Sequence, residues 1–176
     1  MIIEQAKKYL NSHISNDPEF YLGRMVDILG SITNIISLGS TYGHFEFLLF
    51  KKLNRRVKLL CVDDTTFFTE LPEELKEVSF RPICDELNKS FDKFAGDNFM
   101  IINLERANDV ANTISKMNPI GFCVMYDSSI ESEKTFIKML ESSEVKIGTS
   151  SYKLSFSDSI NDSFCRSKIV IFTKFY

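Results

Sequence analysis

The chain has little or nothing of several residue types and patterns, and each absence excludes a class of function. It contains no tryptophan, 2 histidines and 4 cysteines, and none of the cysteines are paired at metal-ligand spacing. A structural zinc site and a metal-assisted transferase therefore have no support. No apolar run approaches the roughly 20 residues that cross a bilayer, so no membrane span is expected. The sequence also lacks a Walker A loop, a G-x-S-x-G elbow and an N-P-P-Y segment.

Positive charge is not concentrated along the chain either. Lys and Arg number 21 against 24 Asp and Glu, which gives a formal net charge of -3. This balance lacks the basic footprint of a dedicated nucleic-acid-binding protein. The local group Lys51, Lys52, Arg55 and Arg56 is interpreted as the solvated end of a helix. Cysteines beside apolar runs and an N-terminus without a signal peptide predict a cytoplasmic protein.

Strand-like and helix-like patterns alternate along the 176 residues without a linker or repeat. Strands are predicted over 34–38, 57–62, 77–81, 98–104, 121–126, 145–156 and 168–175. Helices are predicted over 1–12, 18–29, 43–53, 85–94, 106–117 and 128–140. We therefore expect one domain over 1–176, with N-terminal helices in 1–33 and the sheet-containing core in 34–176.

Several local signals sharpen these boundaries. Asp17-Pro18 is a strong helix start and Gly30 a plausible stop. A capping box over 128–131 is expected to open the helix that follows. Tyr152, Leu154 and Phe156 alternate with polar residues, which indicates a strand with one buried face.

The alternation predicts the fold class. Strands alternating with helices form a parallel sheet covered on both faces, which is an α/β Rossmann-like three-layer sandwich. The segment between the last two strands, 157–167, is polar and carries no helix. A connection without a crossover helix favours an antiparallel pair at the sheet edge. The predicted sheet is thus mostly parallel and seven-stranded, with an antiparallel C-terminal strand.

The stretch over 35–46 is the part of the chain that indicates a ligand class. A short apolar strand breaks at Gly39, a second glycine follows at Gly43, and an amphipathic run begins there. Gly39 allows a tight turn and a close ligand approach, and Gly43 lets the helix start close to the strand. Exposed N–H groups at a helix start attract a carboxylate or a phosphate. This turn sits where a parallel sheet binds its ligands, beyond the carboxyl ends of its strands.

An acidic pair supports the same site. Asp63 and Asp64 follow the second predicted strand, and a carboxylate in that place can accept both hydroxyls of a ribose. The glycine spacing is G-x-x-x-G, so the dinucleotide fingerprint G-x-G-x-x-G is not met. The pattern predicts a nucleoside cofactor, and the alternative is a Rossmann-like turn that binds nothing.

On these two motifs the chain resembles the class I S-adenosylmethionine-dependent methyltransferases. The glycine loop matches over 36–43 and the acidic strand end over 59–63. The element order from residue 34 onward, with its terminal antiparallel hairpin, is also similar to that family. Two positions depart from it: Ser37 stands where the family usually has an acid, and Thr41 stands where a middle glycine is common.

The resemblance implies S-adenosyl-L-methionine as the cofactor, and it implies roles for individual residues. The glycine loop would hold the methionine part, the acid at the second strand end would bind the ribose, and the residue after the third strand would contact adenine. These roles fall on Gly39, Ser40 and Gly43, on Asp63 or Asp64, and on Cys84 or Asp85.

The acceptor side yields catalytic candidates. Residues 102–107 resemble the I-D-V-E-G-A segment of FkbM-type O-methyltransferases, with Asn103 and Arg106 replacing the acid and the glycine. Asn103 and Glu105 lie where the fourth predicted strand ends, and His44 follows the glycine loop. His44 could act as a general base for a hydroxyl acceptor. Glu105 is a candidate for the acceptor side and could instead be a helix-start acid favoured by the helix dipole. His44 could instead cap or pack at the helix start.

The implied function is methylation of a small molecule, with oxygen as the expected acceptor atom. A second hypothesis is a catalytically inactive methyltransferase-like subunit with a protein partner or a second copy of itself, motivated by Ser37. A third is a nicotinamide-dependent oxidoreductase, motivated by the acidic strand end alone.

Overall fold

The computed structural model of the protein describes three helices and seven strands. The described residues are 18–30, 34–39, 49, 52–53, 58–62, 97–105, 107–127, 130–159 and 167–176. The helices are α1 (Pro18–Leu29), α2 (Val110–Met117) and α3 (Lys134–Leu140). The strands are β1 (Asn34–Leu38), β2 (Lys58–Val62), β3 (Asn98–Asn103), β4 (Gly121–Asp127), β5 (Glu144–Ile147), β6 (Ser150–Ser159) and β7 (Ser167–Phe175).

The described strands form one mixed sheet in the order β2-β1-β3-β4-β7-β6-β5. Neighbours from β2 to β4 are parallel, whereas β7 runs antiparallel to both β4 and β6. The predicted Rossmann-like α/β fold and its antiparallel C-terminal strand are confirmed. The predicted antiparallel pair lies at this end of the sheet as β6 and β7, with β7 between β4 and β6 and with β5 as the outermost strand. The buried run Ile169–Phe172 of β7 explains why this strand has a neighbour on each side.

The strand predicted over 145–156 is two strands. β5 and β6 form a hairpin in which Ile147 is paired with Ser150. The turn between them contains Gly148 at a φ of +62°, a left-handed conformation that glycine adopts without steric cost. The strand predicted over 77–81 lies outside the described residues. The described strands number seven because one predicted strand is two, so the predicted set of seven strands is not tested.

The alternation predicted for this strand ends at a β-bulge. Tyr152 is buried, and Leu154 packs against the core from a half-buried position. A register shift between Leu154 and Phe156 places Leu154 opposite Phe172 but Phe156 opposite Ile171. Consecutive residues of β7 face opposite sides of the sheet, so Phe156 lies on the other face from Leu154.

Helix boundaries differ from the prediction where long-range contacts decide them. α1 begins at Pro18 and is followed by Gly30 at a φ of +52°, as the start and stop signals predict. α2 and α3 begin later than predicted, and the expected capping box does not open α3. Each is preceded by a left-handed residue, Asp109 and Glu133, without a side-chain cap. The Glu133 carboxylate instead accepts a hydrogen bond from the Asp109 N–H at 2.7 Å.

The helix predicted over 43–53 is described only at its end. There the N–H of Leu53 donates to the carbonyl oxygen of Leu49 at 2.9 Å, which is one helical turn. Leu49 is buried.

The main core cluster combines residues of the sheet with residues of α2 and α3. Its buried members come from six strands, from α2 and α3, and from the segment between β3 and α2. They are Ile36, Leu38, Met100, Ile102, Leu104, Ala107, Val110, Ile114, Phe122, Val124, Tyr126, Phe136, Leu140, Val145, Ile147, Tyr152, Val170 and Phe172. The C-terminal hairpin is therefore part of the same core as the parallel strands.

An aromatic group anchors the hairpin to β4. The rings of Phe122 and Tyr152 meet edge to face at 5.0 Å between centroids, and those of Phe122 and Phe172 stack at 5.3 Å. The buried Tyr152 hydroxyl donates to the carbonyl oxygen of Pro119 at 2.9 Å. Burial raises the pKa of Tyr152 to about 12 from its ordinary value near 10.

We expect Tyr152→Phe to lower the free energy of unfolding by about 1–2 kcal/mol at pH 8, because the buried Pro119 carbonyl loses its donor. The folded-state pKa of Tyr152 exceeds the unfolded value, so its protonated form stabilises the fold fully below pH 10 and progressively less toward pH 12. Urea unfolding at pH 8 and pH 11 should therefore show the difference between wild type and variant shrinking at pH 11. An equal difference at both pH values would contradict this assignment.

Candidate functional site

The strand order fixes where a ligand site can form. β2 pairs with one side of β1, and β3 pairs with the other side. Strands that follow β1 in the chain are therefore added on both sides of it, which makes β1 the switch point of the strand order. In open parallel sheets such a switch point leaves a crevice at the carboxyl ends of the two central strands. The carboxyl ends here are Leu38 of β1 and Asn103 of β3.

Gly39 follows β1 directly at this switch point. Its φ of +71° is left-handed, and the residue is buried. A side chain is strained in this conformation, and glycine also lets another group approach the backbone closely. Leu38 is level with Val62 in β2 and with Ile102 in β3. In sequence, the residues that follow these three are Gly39, Asp63 and Asn103.

Most of the other predicted cofactor residues lie outside the described residues. They are Ser40, Gly43, Asp63, Asp64, Cys84 and Asp85, together with the base candidate His44. The roles assigned to them stay predictions. The role of Gly39 in cofactor binding is likewise a prediction, although its backbone has the conformation that the tight turn requires.

Asn103 and Glu105 are both described at the end of β3. Asn103 is half-buried and lies opposite Met125 of β4. The Leu104 N–H donates to the Met125 carbonyl oxygen at 2.9 Å, which continues the pairing for one more residue. The Asn103 Oδ1 accepts a hydrogen bond from the Glu105 N–H at 3.3 Å, and the Glu105 side chain is exposed. The structure therefore brings Asn103 to the same edge as Gly39, on the adjacent strand.

Ser37, the position where the resembling family usually has an acid, lies inside β1. It is fully buried and is level with Cys61 in β2 and Ile101 in β3. A hydroxyl in this place is uncharged at every ordinary pH, so it cannot form the ion pair that a carboxylate would form with an ammonium group.

A hydrogen bond joins the loops that follow β3 and β4. The hydrogen bond from the Asp109 N–H to Glu133 Oε1 links two segments that are 24 residues apart, and it involves a carboxylate acceptor. Both residues have left-handed backbones, with φ values of 55° and 63°. Asp109 Oδ2 also accepts from the Asn112 side chain at 3.1 Å. Sequence reasoning missed this link, because no local pattern pairs residues so far apart.

Acidic side chains predominate in these two loops, which we call the acceptor rim (residues 103–109 and 127–134). The described carboxylates of the rim are Glu105, Asp109, Asp127, Glu131 and Glu133. The described cation is Lys134, which forms an ion pair with Glu131, and Arg106 lies outside the described residues. The rim therefore carries a net negative charge.

Two titratable residues of β4, Cys123 and Tyr126, are not candidates for a reactive group. Burial raises the pKa of the Cys123 thiol well above its usual range, so the thiol stays protonated and behaves as a small hydrophobe. Burial, and secondarily the charge of Glu141, raises the pKa of Tyr126 at the end of β4. Tyr126 belongs to the core cluster.

Within the described ranges, no group of three or more His, Cys, Asp and Glu side chains could hold a metal ion. None of the helices in that part of the chain is long and apolar enough to cross a membrane.

Comparison with known proteins gives a match in structure and none in sequence. No family model matches the chain, and no curated protein matches its sequence. The fold is similar to that of M. capricolum TrmK in complex with S-adenosyl-homocysteine, with a TM-score of 0.56 and 9% identity over 89% of this chain and 68% of that one. The chain has the fold of the class I S-adenosylmethionine-dependent methyltransferases.

Two further structures share this methyltransferase fold. The Synechocystis magnesium protoporphyrin IX methyltransferase with bound S-adenosyl-homocysteine has a TM-score of 0.54 and 10% identity, covering 89% of this chain and 80% of that one. A Thermotoga maritima SAM-dependent O-methyltransferase has a TM-score of 0.57 and 12% identity, covering 99% of this chain and 71% of that one. The methyltransferase fold predicted by the resemblance is confirmed, and these identities bear on the fold alone.

Proposed function

We propose that the protein binds S-adenosyl-L-methionine at the carboxyl edge between β1 and β3 and methylates a hydroxyl oxygen of a small molecule. The observation that carries this proposal is Gly39, which is buried, left-handed and placed directly after β1 at the switch point. Two structures with the same fold, TrmK and the protoporphyrin methyltransferase, contain the demethylated cofactor.

The residues at this edge fit the cofactor with one departure. Gly39 has no Cβ to block a ligand that approaches the turn. Asp63 follows the last residue of β2 and is the candidate that would hold the ribose hydroxyls. Ser37 is the departure, because its neutral hydroxyl offers no counter-charge for the cofactor's amino group. The ribose contact and the turn would then carry most of the binding free energy.

Methyl transfer demands positioning more than covalent chemistry from the protein. When bound, the cofactor supplies an electrophilic methyl group: the acceptor oxygen forms the new C–O bond while the C–S bond breaks and its electron pair stays on sulfur. The hydroxyl proton has to leave to a base. Glu105 is the described candidate for this role, and His44 is the candidate outside the described residues.

The charge of the acceptor rim supports a small molecule over a nucleic acid. A polyanion loses free energy on approaching a surface that carries like charge, whereas nucleic-acid-binding surfaces gain it through Lys and Arg. The described rim has carboxylates at Glu105, Asp109 and Asp127 and no described cation other than the paired Lys134. A neutral hydroxyl compound is not repelled by such a rim.

We expect S-adenosylhomocysteine at about a hundred times its dissociation constant to stabilise the wild-type protein by about 2.7 kcal/mol. For a chain of this size the melting temperature should rise by several degrees.

Asp63→Ala should lose about tenfold in affinity because the ribose loses its acceptor, while Asp64→Ala serves as the matched control. A melting temperature that millimolar ligand leaves unchanged would contradict cofactor binding. A loss confined to Asp64→Ala would transfer the ribose role to that residue.

A catalytically inactive partner subunit is the second candidate, and buried Ser37 is the observation that favours it. Calorimetry with the cofactor separates the two candidates when combined with size-exclusion chromatography. No heat of binding together with a stable complex with another protein would favour the inactive subunit. None of the described residues specifically favours the nicotinamide-dependent alternative.

A further inference from the structure

Strand β5 presents charged side chains to solvent. Among the described strands it is the outermost, and it pairs with β6. Val145 and Ile147 are buried in the core cluster, whereas Glu144 and Lys146, which lie on the other face of the strand, are exposed. Helix α2 packs against β5. The core therefore holds the strand in place while its charged face stays in water.

The backbone of β5 has an inward set and an outward set of hydrogen-bonding groups. The Leu154 N–H of β6 donates to the carbonyl oxygen of Ser143 at 2.8 Å, which continues the β5–β6 pairing by one residue. In an antiparallel ladder, opposed residues that exchange hydrogen bonds alternate with opposed residues that do not. Ser143 and Val145 therefore direct their N–H and C=O groups toward β6. Glu144 and Lys146 direct theirs away from β6, toward the outer edge.

We propose that two copies of this chain associate through the outer edges of β5, as an antiparallel pair with two-fold symmetry. Val145 lies at the symmetry axis, opposite the partner's Val145. The outward N–H and C=O groups of Glu144 then meet those of the partner's Lys146, and such a pair exchanges both of its hydrogen bonds. By symmetry Lys146 meets the partner's Glu144, because a two-fold interface uses the same surface on both copies. The sheet continues from one copy into the other.

The charges of β5 select this register. Opposite charges that face each other across two strands stabilise the pair, and like charges destabilise it. A slip to the next hydrogen-bonding register in either direction would place Glu144 opposite the partner's Glu144, or Lys146 opposite the partner's Lys146. The register centred on Val145 places a carboxylate opposite an ammonium group at every outward pair. It also overlaps the whole extended segment 143–147 with its copy.

The same charges disfavour strands of other proteins. Lysine on an edge strand ordinarily discourages pairing with another chain. Lys146 has a carboxylate opposite it when the partner is a second copy, so the edge selects its own sequence. Because the paired segment is short, we expect weak association that is detected at high protein concentration. This inference is independent of the proposed cofactor site, because β4, β7 and β6 separate β5 from β3.

Charge reversal tests both the edge and its register. Glu144→Lys gives a chain with lysine at both outward positions, and Lys146→Glu gives a chain with glutamate at both. Each variant alone opposes like charges, so its dimer dissociation constant should rise by at least about tenfold. An equimolar mixture of the two variants opposes lysine with glutamate at every outward pair and should dimerise as the wild type does. Asp27→Lys is the matched control, because it reverses an acidic charge at an exposed position of α1.

Sedimentation equilibrium of the full chain, over a concentration series that reaches the millimolar range, measures these constants. We expect the wild type and Asp27→Lys to dimerise equally, each β5 variant alone to dimerise more weakly, and the mixture to recover. The inference would be overturned by a wild type that is monomeric at every concentration, by unchanged association in either β5 variant, by an equal loss in Asp27→Lys, or by a mixture that does not recover.

Hydrogen exchange at the Glu144 and Lys146 amides of a monomeric wild type would identify what takes the place of the second copy. Slow exchange at low protein concentration would show that another segment of the same chain covers the edge. Fast exchange would show an open edge, left to solvent or to a strand of a different protein. Both outcomes contradict the dimer, and neither bears on cofactor binding.

Discussion

Gly39→Ala should lower the affinity for S-adenosylhomocysteine by about a hundredfold, which corresponds to about 2.7 kcal/mol. The left-handed backbone at Gly39, with a φ of +71°, costs an L-residue about 1–2 kcal/mol, so the alanine either strains the turn or changes its path. The added methyl group would also project from a buried turn at the edge where we place the cofactor. Both effects act on the same site, and calorimetric titration measures their sum.

Gly30→Ala provides the control for backbone strain alone. Gly30 has a left-handed φ of +52° after α1, and a Cβ added there meets no heavy atom within 4 Å. Gly30 is exposed and precedes the amino-terminal end of β1, whereas Gly39 follows the carboxyl end of the same strand. We expect Gly30→Ala to lose stability but to keep the wild-type affinity. Equal losses of affinity in both variants would show that strain in general, rather than the turn after β1, weakens binding.

Gly121→Ala should lower the free energy of unfolding by about 3 kcal/mol. Gly121 begins β4, and a Cβ there would lie 2.8 Å from the carbonyl oxygen of Phe172 and 2.9 Å from the ring of Phe99. Both neighbours are fully or almost fully buried, and one of the contacts is to backbone in the adjacent strand β7. Neither can move without disturbing the sheet, because interiors are close-packed. The melting temperature should fall by roughly 10 °C.

Gly23→Ala is the matched control for Gly121→Ala. Gly23 lies inside α1, and an added Cβ meets nothing within 4 Å. Alanine has a higher helix propensity than glycine, so this variant should be more stable than the wild type by up to about 1 kcal/mol. Chemical unfolding of the two variants should therefore give shifts of opposite sign. A Gly121→Ala variant as stable as the wild type would contradict the described packing between β3, β4 and β7.

The elements predicted best from the sequence are those whose signals are local. α1 has Pro18 at its first position and Gly30 after its end, and both features depend only on backbone conformation near the helix terminus. β1 is a short apolar run closed by Gly39, and the structure has the strand at the predicted residues. At α1 and β1, local propensity and tertiary packing favour the same secondary structure.

Elements fixed by long-range contacts were predicted less well. α3 begins at Lys134 rather than at the expected capping box, and the Glu133 carboxylate before it is bonded to Asp109, which lies in another loop. The bulge after Leu154 moves Phe156 to the other face, which an alternating pattern cannot reveal because the pattern assumes an unbroken register.

The candidate site was predictable in the same partial way. The Gly39 turn and Asn103 at the end of β3 lie where the strand order puts the switch point, and a strand-by-strand interpretation of the sequence is enough to find them. The orientation of the Asn103 amide and the link between Asp109 and Glu133 depend on contacts formed only in the folded chain.

The central claim is that the cofactor binds at the carboxyl edge between β1 and β3, and its most direct test is a two-dimensional 1H–15N NMR titration with S-adenosylhomocysteine. The amide signals of Gly39, Asn103 and Glu105 should shift with one common dissociation constant. Those of Gly148 and Ser150 should stay in place, because the Ser150 hydroxyl is bonded to Asn118 before β4, at the opposite edge of the sheet. Unchanged signals throughout, or shifts confined to the β5–β6 turn, would contradict the assignment.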